Sequence, residues 1–368
     1  MTTAAAPTPI AQLLGRRVLV MLAVAGAGVA LTVGLKAAGA SEVAVFVVAA
    51  VTLAALAALV GEGTEQLGGR FGPGATGVLQ SALGNLPELF ISLFALREGL
   101  VVLVQTALIG SILGNSLLVL GLAFLAGGLK HGQQTFHAAP VRNIAVVLVL
   151  AVAALAIPTV STAPGGPDQG HAVEISVFVS VVLLVIFVAS IPFSLGGGKG
   201  ASSLEVAQEH PWPLRLSIGL LAIAATGAAF VADWFVEALR PAMGTLGLSE
   251  AFVGLVVVAI AGNAVENVVG IQQAMRNRTD LAISLIQNST LQVAIALTPV
   301  LVLASLLISP VPMTLVLAPT LLVGLSLTAV LGALVVFDGE STWLEGLMLL
   351  GLYAIIAASV WYGPPLAL

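Results

Sequence analysis

Two short runs place an acid among apolar residues. Residues 84–88 read Gly-Asn-Leu-Pro-Glu, and residues 262–266 read Gly-Asn-Ala-Val-Glu. Each Asn stands three residues before its Glu, so on a helix Asn85 shares a face with Glu88, and Asn263 with Glu266. A small polar cluster follows each run. The first is Gly110-Ser111 with Gly114-Asn115-Ser116; the second is Gln287-Asn288-Ser289-Thr290 with Gln292. Ser111 with Asn115, and Asn288 with Gln292, are i,i+4 pairs on one helix face. Glu88 precedes Ser111 by 23 residues and Glu266 precedes Asn288 by 22. Gly84 and Gly262 would let a locally unwound helix expose backbone carbonyls. The resulting set of carboxylate, amide and hydroxyl groups is made of hard oxygens. Such a set suits Ca²⁺, with its 6–8 oxygen ligands, or Na⁺, and does not suit zinc or copper.

Stepping outward from those residues, 59% of the 368 residues are hydrophobic and 8% are charged, against about 25% charged in a soluble domain. Such a chain cannot cover a soluble surface of this size. An ordinary cytosolic enzyme, a nucleic-acid binder and a disordered chain are excluded, and a multi-spanning membrane protein remains. The net charge of −5 argues against a polybasic surface. With no cysteine, disulfides, thiolate metal sites and thiol nucleophiles are absent. The 40 glycines favour close helix packing through small residues.

Apolar runs fall near 18–36, 42–62, 74–96, 99–127, 139–158, 172–195, 213–239, 248–274, 280–308, 313–337 and 343–361. They are too long and too uniformly apolar for barrel strands. The expected fold is therefore an all-α membrane protein of 11 transmembrane helices. Arg16-Arg17, an apolar run and Ala38-Gly39-Ala40 resemble a signal peptide, but the run exceeds a 7–15-residue h-region. It reads as a retained anchor helix. The acidic runs lie in the third and eighth spans, which makes the repeated unit five spans long. An odd-numbered unit enters the membrane from opposite sides in its two copies, giving one N-terminal helix plus two inverted-topology repeats of five. The divisions are 1–40 for the tail and first helix, 41–198 and 213–368 for the repeats, and 199–212 for a cytoplasmic linker. With the N-terminus inside, Arg16, Arg17, Arg70, Lys130, Arg142, Lys199, Arg215, Arg276 and Arg278 are cytoplasmic. Only Lys36, Arg97 and Arg240 lie opposite, so the basic bias favours this orientation and puts the C-terminus outside.

Glu88 and Glu266 then sit near the bilayer midplane, where the repeats meet. An ionised carboxylate there costs a few kcal/mol or more. Two such acids in equivalent positions are harder to explain as chance structural groups than one. A lone Ser111, Ser116, Thr290 or Gln105 would be read as an interhelical hydrogen bond.

The segments 84–128 and 246–304 resemble the two repeats of the calcium/proton antiporters, within the cation/Ca²⁺ exchanger superfamily. The motifs are Gly84-Asn85-x-x-Glu88, Gly110-Ser111-Ile112-Leu113-Gly114-Asn115, and Leu246-Gly247-Leu248-Ser249-Glu250-Ala251-Phe252 leading to Gly262-Asn263-Ala264-Val265-Glu266. The one-plus-five-plus-five plan is also that family's, so the resemblance spans nearly the whole chain. It implies Glu88 and Glu266 as the cation-binding, proton-coupling carboxylates. Asn85, Ser111, Asn115, Asn263, Asn288 and Gln292 would be accessory ligands, with Gly84 and Gly262 beside them. It implies no cofactor: Ca²⁺ and H⁺ are the transported ions. Three features depart from the pattern. Asn267 stands where a His is common, Pro87 lies inside the first motif, and the acidic stretch between the halves is reduced to Glu205 and Glu209.

Two carboxylates close together in low dielectric cannot both stay ionised cheaply. Protons occupy the pair when the cation leaves, and a divalent cation displaces them. This competition alone yields exchange. Glu62 and Glu65, near the cytoplasmic end of span two, are candidates for an access route or a solvated helix end. Asp233 and Glu237, on one face of span seven, either attract cations or pair with Arg240. Glu250 after Ser249 reads as a capped helix start, Glu345 as a solvated end, and His131, His137, His171 and His210 as loop residues.

The nearest rival is a Na⁺/Ca²⁺ exchanger; an antiporter for Mn²⁺ or another divalent cation is also open. A passive cation channel would need no alternating-access repeat, and an intramembrane metalloenzyme would need a His-Glu-x-x-His or clustered acidic motif that the chain lacks. The expected surroundings are the lipid bilayer of a prokaryotic inner membrane, with Ca²⁺ and without nucleic acid.

Overall fold

Backbone polar groups find no water in a bilayer core, so each apolar run satisfies them within a helix. The computed structural model describes residues 10–68, 70, 83–195 and 212–363. The helices are α1 (Ile10–Ala37), α2 (Glu42–Gly68) and α3 (Leu86–Arg97), then α4 (Val101–His131), α5 (Ala138–Ser161) and α6 (Ala172–Leu195). They continue as α7 (Leu214–Leu246), α8 (Glu250–Gly262), α9 (Ala264–Met275), α10 (Thr279–Ile308), α11 (Pro319–Val335) and α12 (Trp343–Tyr362). Among the described residues, eight helices are long and apolar enough to cross a bilayer, or nine where α8 and α9, bent by 61° at their break, are taken together as one span. α11 is a shorter apolar helix. The expected third span is described only over α3 and the turn before it. Most of the 199–212 linker, with Glu205, Glu209 and His210, lies outside the described residues.

α2 and α7 run side by side, with Phe46 stacked on Phe235 at 5.0 Å between ring centroids. α3 packs on α7, and α9 packs on both α2 and α4. Small residues permit the closest crossings. A Cβ on Gly110 of α4 would strike the Leu255 backbone of α8, and one on Gly254 of α8 would strike Thr106 and the Leu103 carbonyl. Gly121 of α4 and Gly346 of α12 oppose each other in the same way. Side chains such as Leu150, Val185, Ile223 and Leu334 face outward on the bundle. Exposed apolar area of this extent marks a lipid-facing surface.

Several basic residues find partners on neighbouring helices. Lys36 pairs with Glu237, Arg97 lies 3.9 Å from Asp233, and Arg240 donates to the Glu98 carbonyl at 3.4 Å. Lys130 and His131 both reach the Met275 carbonyl at 2.9 Å, capping α9. The two-residue strands β1 (Gln134–Thr135) and β2 (Glu340–Ser341) pair antiparallel. His137, just before α5, bonds Asp280 through its backbone N–H at 2.7 Å. Ser249 caps α8 as expected, its Oγ accepting from Phe252 N–H at 3.2 Å. Glu345 is not a free solvated end: Thr342 and Glu345 form a reciprocal capping box at the start of α12.

Candidate functional site

Both acidic motifs fold into the same local shape. Asn85 precedes α3 with φ −91° and ψ 14°, and Asn263, between α8 and α9, has φ −97° and ψ 25°. These angles lie near the bridge region, outside regular helix. Asn263 separates α8 from α9, Asn85 immediately precedes α3, and each Glu falls in the first turn of the helix that follows. Backbone N–H groups there are unpaired and the helix dipole favours negative charge. Pro87, the departure noted within the first motif, sits in the first turn of α3. A missing N–H costs nothing at that position.

Glu88 is 1% exposed and Glu266 is 8% exposed. Neither Glu88 carboxylate oxygen makes a hydrogen bond of ordinary geometry. The Ser111 hydroxyl and the Glu266 carboxylate both act on it electrostatically. Ser289 acts likewise on Glu266. Gly262 brings the end of α8 against Glu88: a Cβ added there would lie 3.4 Å from the Glu88 Cβ.

Between the acids, side chains from both halves join in one buried network. Asn263 Nδ2 donates to Ser111 Oγ at 2.8 Å and to the Ala259 carbonyl at 2.9 Å. Asn115 Nδ2 donates to Asn263 Oδ1 and to Ser289 Oγ, both at 3.2 Å. The Asn115 Oδ1 remains buried without a partner. Of three π turns among the described residues, Gly114–Val119 of α4 contains Asn115, Val293–Leu297 of α10 follows Ser289, and Val253–Val258 lies in α8. Such bulges offset side chains from the regular helical register.

The network therefore contains Ser111, Asn115 and Asn263 of the expected ligands, with Gly262 packed on Glu88. Asn85 is buried and makes no side-chain hydrogen bond among the described residues, and Gly84 is half-buried in the preceding turn. Gln292 is half-buried one turn beyond Ser289. Asn288 is different. It is exposed, and its amide donates to the Ser284 carbonyl of its own helix at 2.9 Å. Its neighbour Ser289 occupies the network instead, because adjacent helical residues point about 100° apart. Glu266 precedes Ser289 by 23 residues, as Glu88 precedes Ser111. That identity of spacing was the signal that would have selected Ser289.

The flanking acids divide. Glu62 accepts from Gln66 at 3.0 Å, Gln66 in turn accepts from the Trp212 N–H at 3.3 Å, and the Arg70 guanidinium holds the Trp212 carbonyl at 2.6 Å. Glu65 is half-buried on the same helix. The expected partner of Asp233 and Glu237, Arg240, is replaced by Arg97 and Lys36 respectively. Arg240 turns to a backbone carbonyl instead.

Two buried carboxylates and the buried Ser111–Asn263–Asn115–Ser289 network thus draw on both halves of the chain. Among the described residues no group of three or more His, Cys, Asp or Glu converges. The donor chemistry is that of a site for a hard cation.

The profile of the family described as "Sodium/calcium exchanger protein" matches residues 41–196 and 216–362. The chain belongs to this family. Within the exchanger family it is 34% identical over 348 residues to a Ca²⁺/H⁺ antiporter of Synechocystis, covering 89% of this chain and 93% of that protein. It is 36% identical over 319 residues to the Ca²⁺/H⁺ antiporter ChaA of Bacillus subtilis, covering 85% and 90%. The solved structure of native YfkE superposes with a TM-score of 0.80 at 33% identity, covering 93% of this chain and 99% of YfkE. The H⁺/Ca²⁺ exchanger CAX shares the fold at a TM-score of 0.73 and 15% identity.

Proposed function

We propose that this exchanger-family protein is a secondary active antiporter that exchanges Ca²⁺ for H⁺ by alternating access. The observation that carries the reading is the burial of Glu88 and Glu266, each in the first turn of a helix after an Asn of similar backbone angles, beside one buried network drawn from both halves. Relatives bearing the name Ca²⁺/H⁺ antiporter, at about one-third identity over nearly the whole chain, support it.

The fold proposed is one N-terminal helix followed by two inverted repeats of five spans. In its favour, the family profile matches two segments, 41–196 and 216–362. The Asn85 and Asn263 backbones have similar angles, and two of the three π turns follow Ser111 and Ser289 at corresponding places. The basic-residue bias supports a cytoplasmic N-terminus and an outside C-terminus. That the similar antiporters include bacterial ones supports a prokaryotic membrane location.

The exchange follows from charge. Ca²⁺ bound by Glu88 and Glu266, with Asn115 and Ser289 completing the oxygen set, offsets both negative charges. When Ca²⁺ leaves, protons must take its place, because two unscreened carboxylates in a low-dielectric site repel each other and lack solvation. The loaded and protonated forms are the two species able to reorient. Asn85 and Gln292 stand close by in sequence and complete the proposed ligand set; Ser289 replaces Asn288 in it. Glu62 and Glu65 line the proposed inner approach.

Direct competition can be measured without transport. Addition of Ca²⁺ to the purified protein in weak buffer should release protons. Glu88→Gln and Glu266→Gln should each diminish that release. Calcium binding with no proton release in the unaltered protein would overturn the shared-site mechanism.

A further inference from the structure

A lateral groove of about 250 Å³ opens between α1 and α7, lined by Leu14 and Leu22 on one side and by Arg215, Leu216, Gly219, Leu220 and Ile223 on the other. α1 and α7 each pack on α2 and scarcely touch one another, which leaves the gap. Its wall is apolar except at one end. There Arg215 is exposed in the first turn of α7; Arg16 and Arg17, also exposed, follow the lining residue Leu14 on α1. None of the three arginines has a carboxylate partner among the described residues. Gly219 deepens the groove, and a Cβ added there would meet nothing within 4 Å.

We propose that this groove is a binding site for one anionic phospholipid, whose phosphate is held by Arg215 and whose acyl chain lies along Gly219 and Ile223. Both helices are long apolar spans, so the medium beside the groove is lipid. A basic pocket between transmembrane helices at the membrane surface suits an anionic headgroup. The apolar length beyond it has no polar group to hold water, which needs two to four partners. The site lies away from Glu88 and Glu266, and it requires only that the chain spans a membrane, not the proposed exchange.

Native mass spectrometry of the full chain, with phosphatidylglycerol or phosphatidylcholine added, tests this. The unaltered protein should retain one phosphatidylglycerol in preference to phosphatidylcholine. Arg215→Gln should weaken phosphatidylglycerol retention about fivefold, the worth of one basic side chain at an anionic surface. Gly219→Leu should fill the groove and reduce retention of either lipid while leaving thermal stability unchanged. Equal retention of the two lipids, or retention unaltered by both substitutions, overturns the proposal. Phosphatidylglycerol binding that emerges only after Glu205 and Glu209 are replaced by Gln would assign Arg215 to those acids and overturn it as well.

Discussion

Asn263 is the joint between the two halves of the site, and its replacement by Ala has a calculable cost. Three hydrogen bonds disappear: those to Ser111 Oγ and the Ala259 carbonyl, and the one accepted from Asn115. The two interhelical bonds are worth about 0.6 kcal/mol each, and the local bond to the Ala259 carbonyl of α8 about as much again. The buried Asn115 amide keeps Ser289 but loses half its bonding. The sum is a destabilisation of about 2 kcal/mol. Asn85→Ala is the natural comparison, since Asn85 makes no side-chain hydrogen bond among the described residues and should cost under about 1 kcal/mol. Reversible unfolding in mixed micelles, followed by tryptophan fluorescence, measures both. A double-mutant cycle with Asn115→Ala should return a coupling of about 0.6 kcal/mol. If Asn263→Ala costs no more than Asn85→Ala, and the cycle shows no coupling, the buried network does not exist as described.

Other substitutions separate neighbouring roles. Ser289→Ala should weaken Ca²⁺ affinity by about tenfold, the loss of one hydrogen-bonding group near a charge, whereas Asn288→Ala should leave a binding isotherm within about twofold. Asp233→Asn removes an exposed ion pair worth under about 1 kcal/mol. It should therefore leave transport rates within about twofold, and a large loss of uptake would restore Asp233 to the cation route. Gly110→Ala presses a Cβ into the Leu255 backbone. It should destabilise the bundle by about 1–3 kcal/mol in a thermal-shift assay, while Gly26→Ala, with open space around it, should be neutral.

Much of this arrangement is legible without coordinates because a bilayer restricts what a chain can do. An apolar run must become a helix, so α6 falls on the expected 172–195 and α12 within one residue of its expected end. The acids were readable because Glu88 and Glu266 are anomalous in such runs. Asn288 and Ser289 are not separable by composition because all of 287–290 is polar; only the 23-residue spacing favours Ser289, the one that joins the buried network. The partners of Glu237 and Asp233 were misread because Lys36 and Arg97 are distant in sequence, whereas Arg240 lies one turn away. Local spacing favours the near partner, and packing of α1 and α3 on the α2–α7 pair supplies the distant ones. The Thr342–Glu345 capping box was open to reading from its Thr-x-x-Glu spacing.

The central claim, exchange of Ca²⁺ for H⁺ at Glu88 and Glu266, is tested most directly by ⁴⁵Ca²⁺ uptake into proteoliposomes under an imposed pH gradient, and separately under a sodium gradient. Uptake should follow the pH gradient alone and should be lost in both Glu88→Gln and Glu266→Gln. Uptake driven only by sodium, or full uptake in either variant, would contradict it.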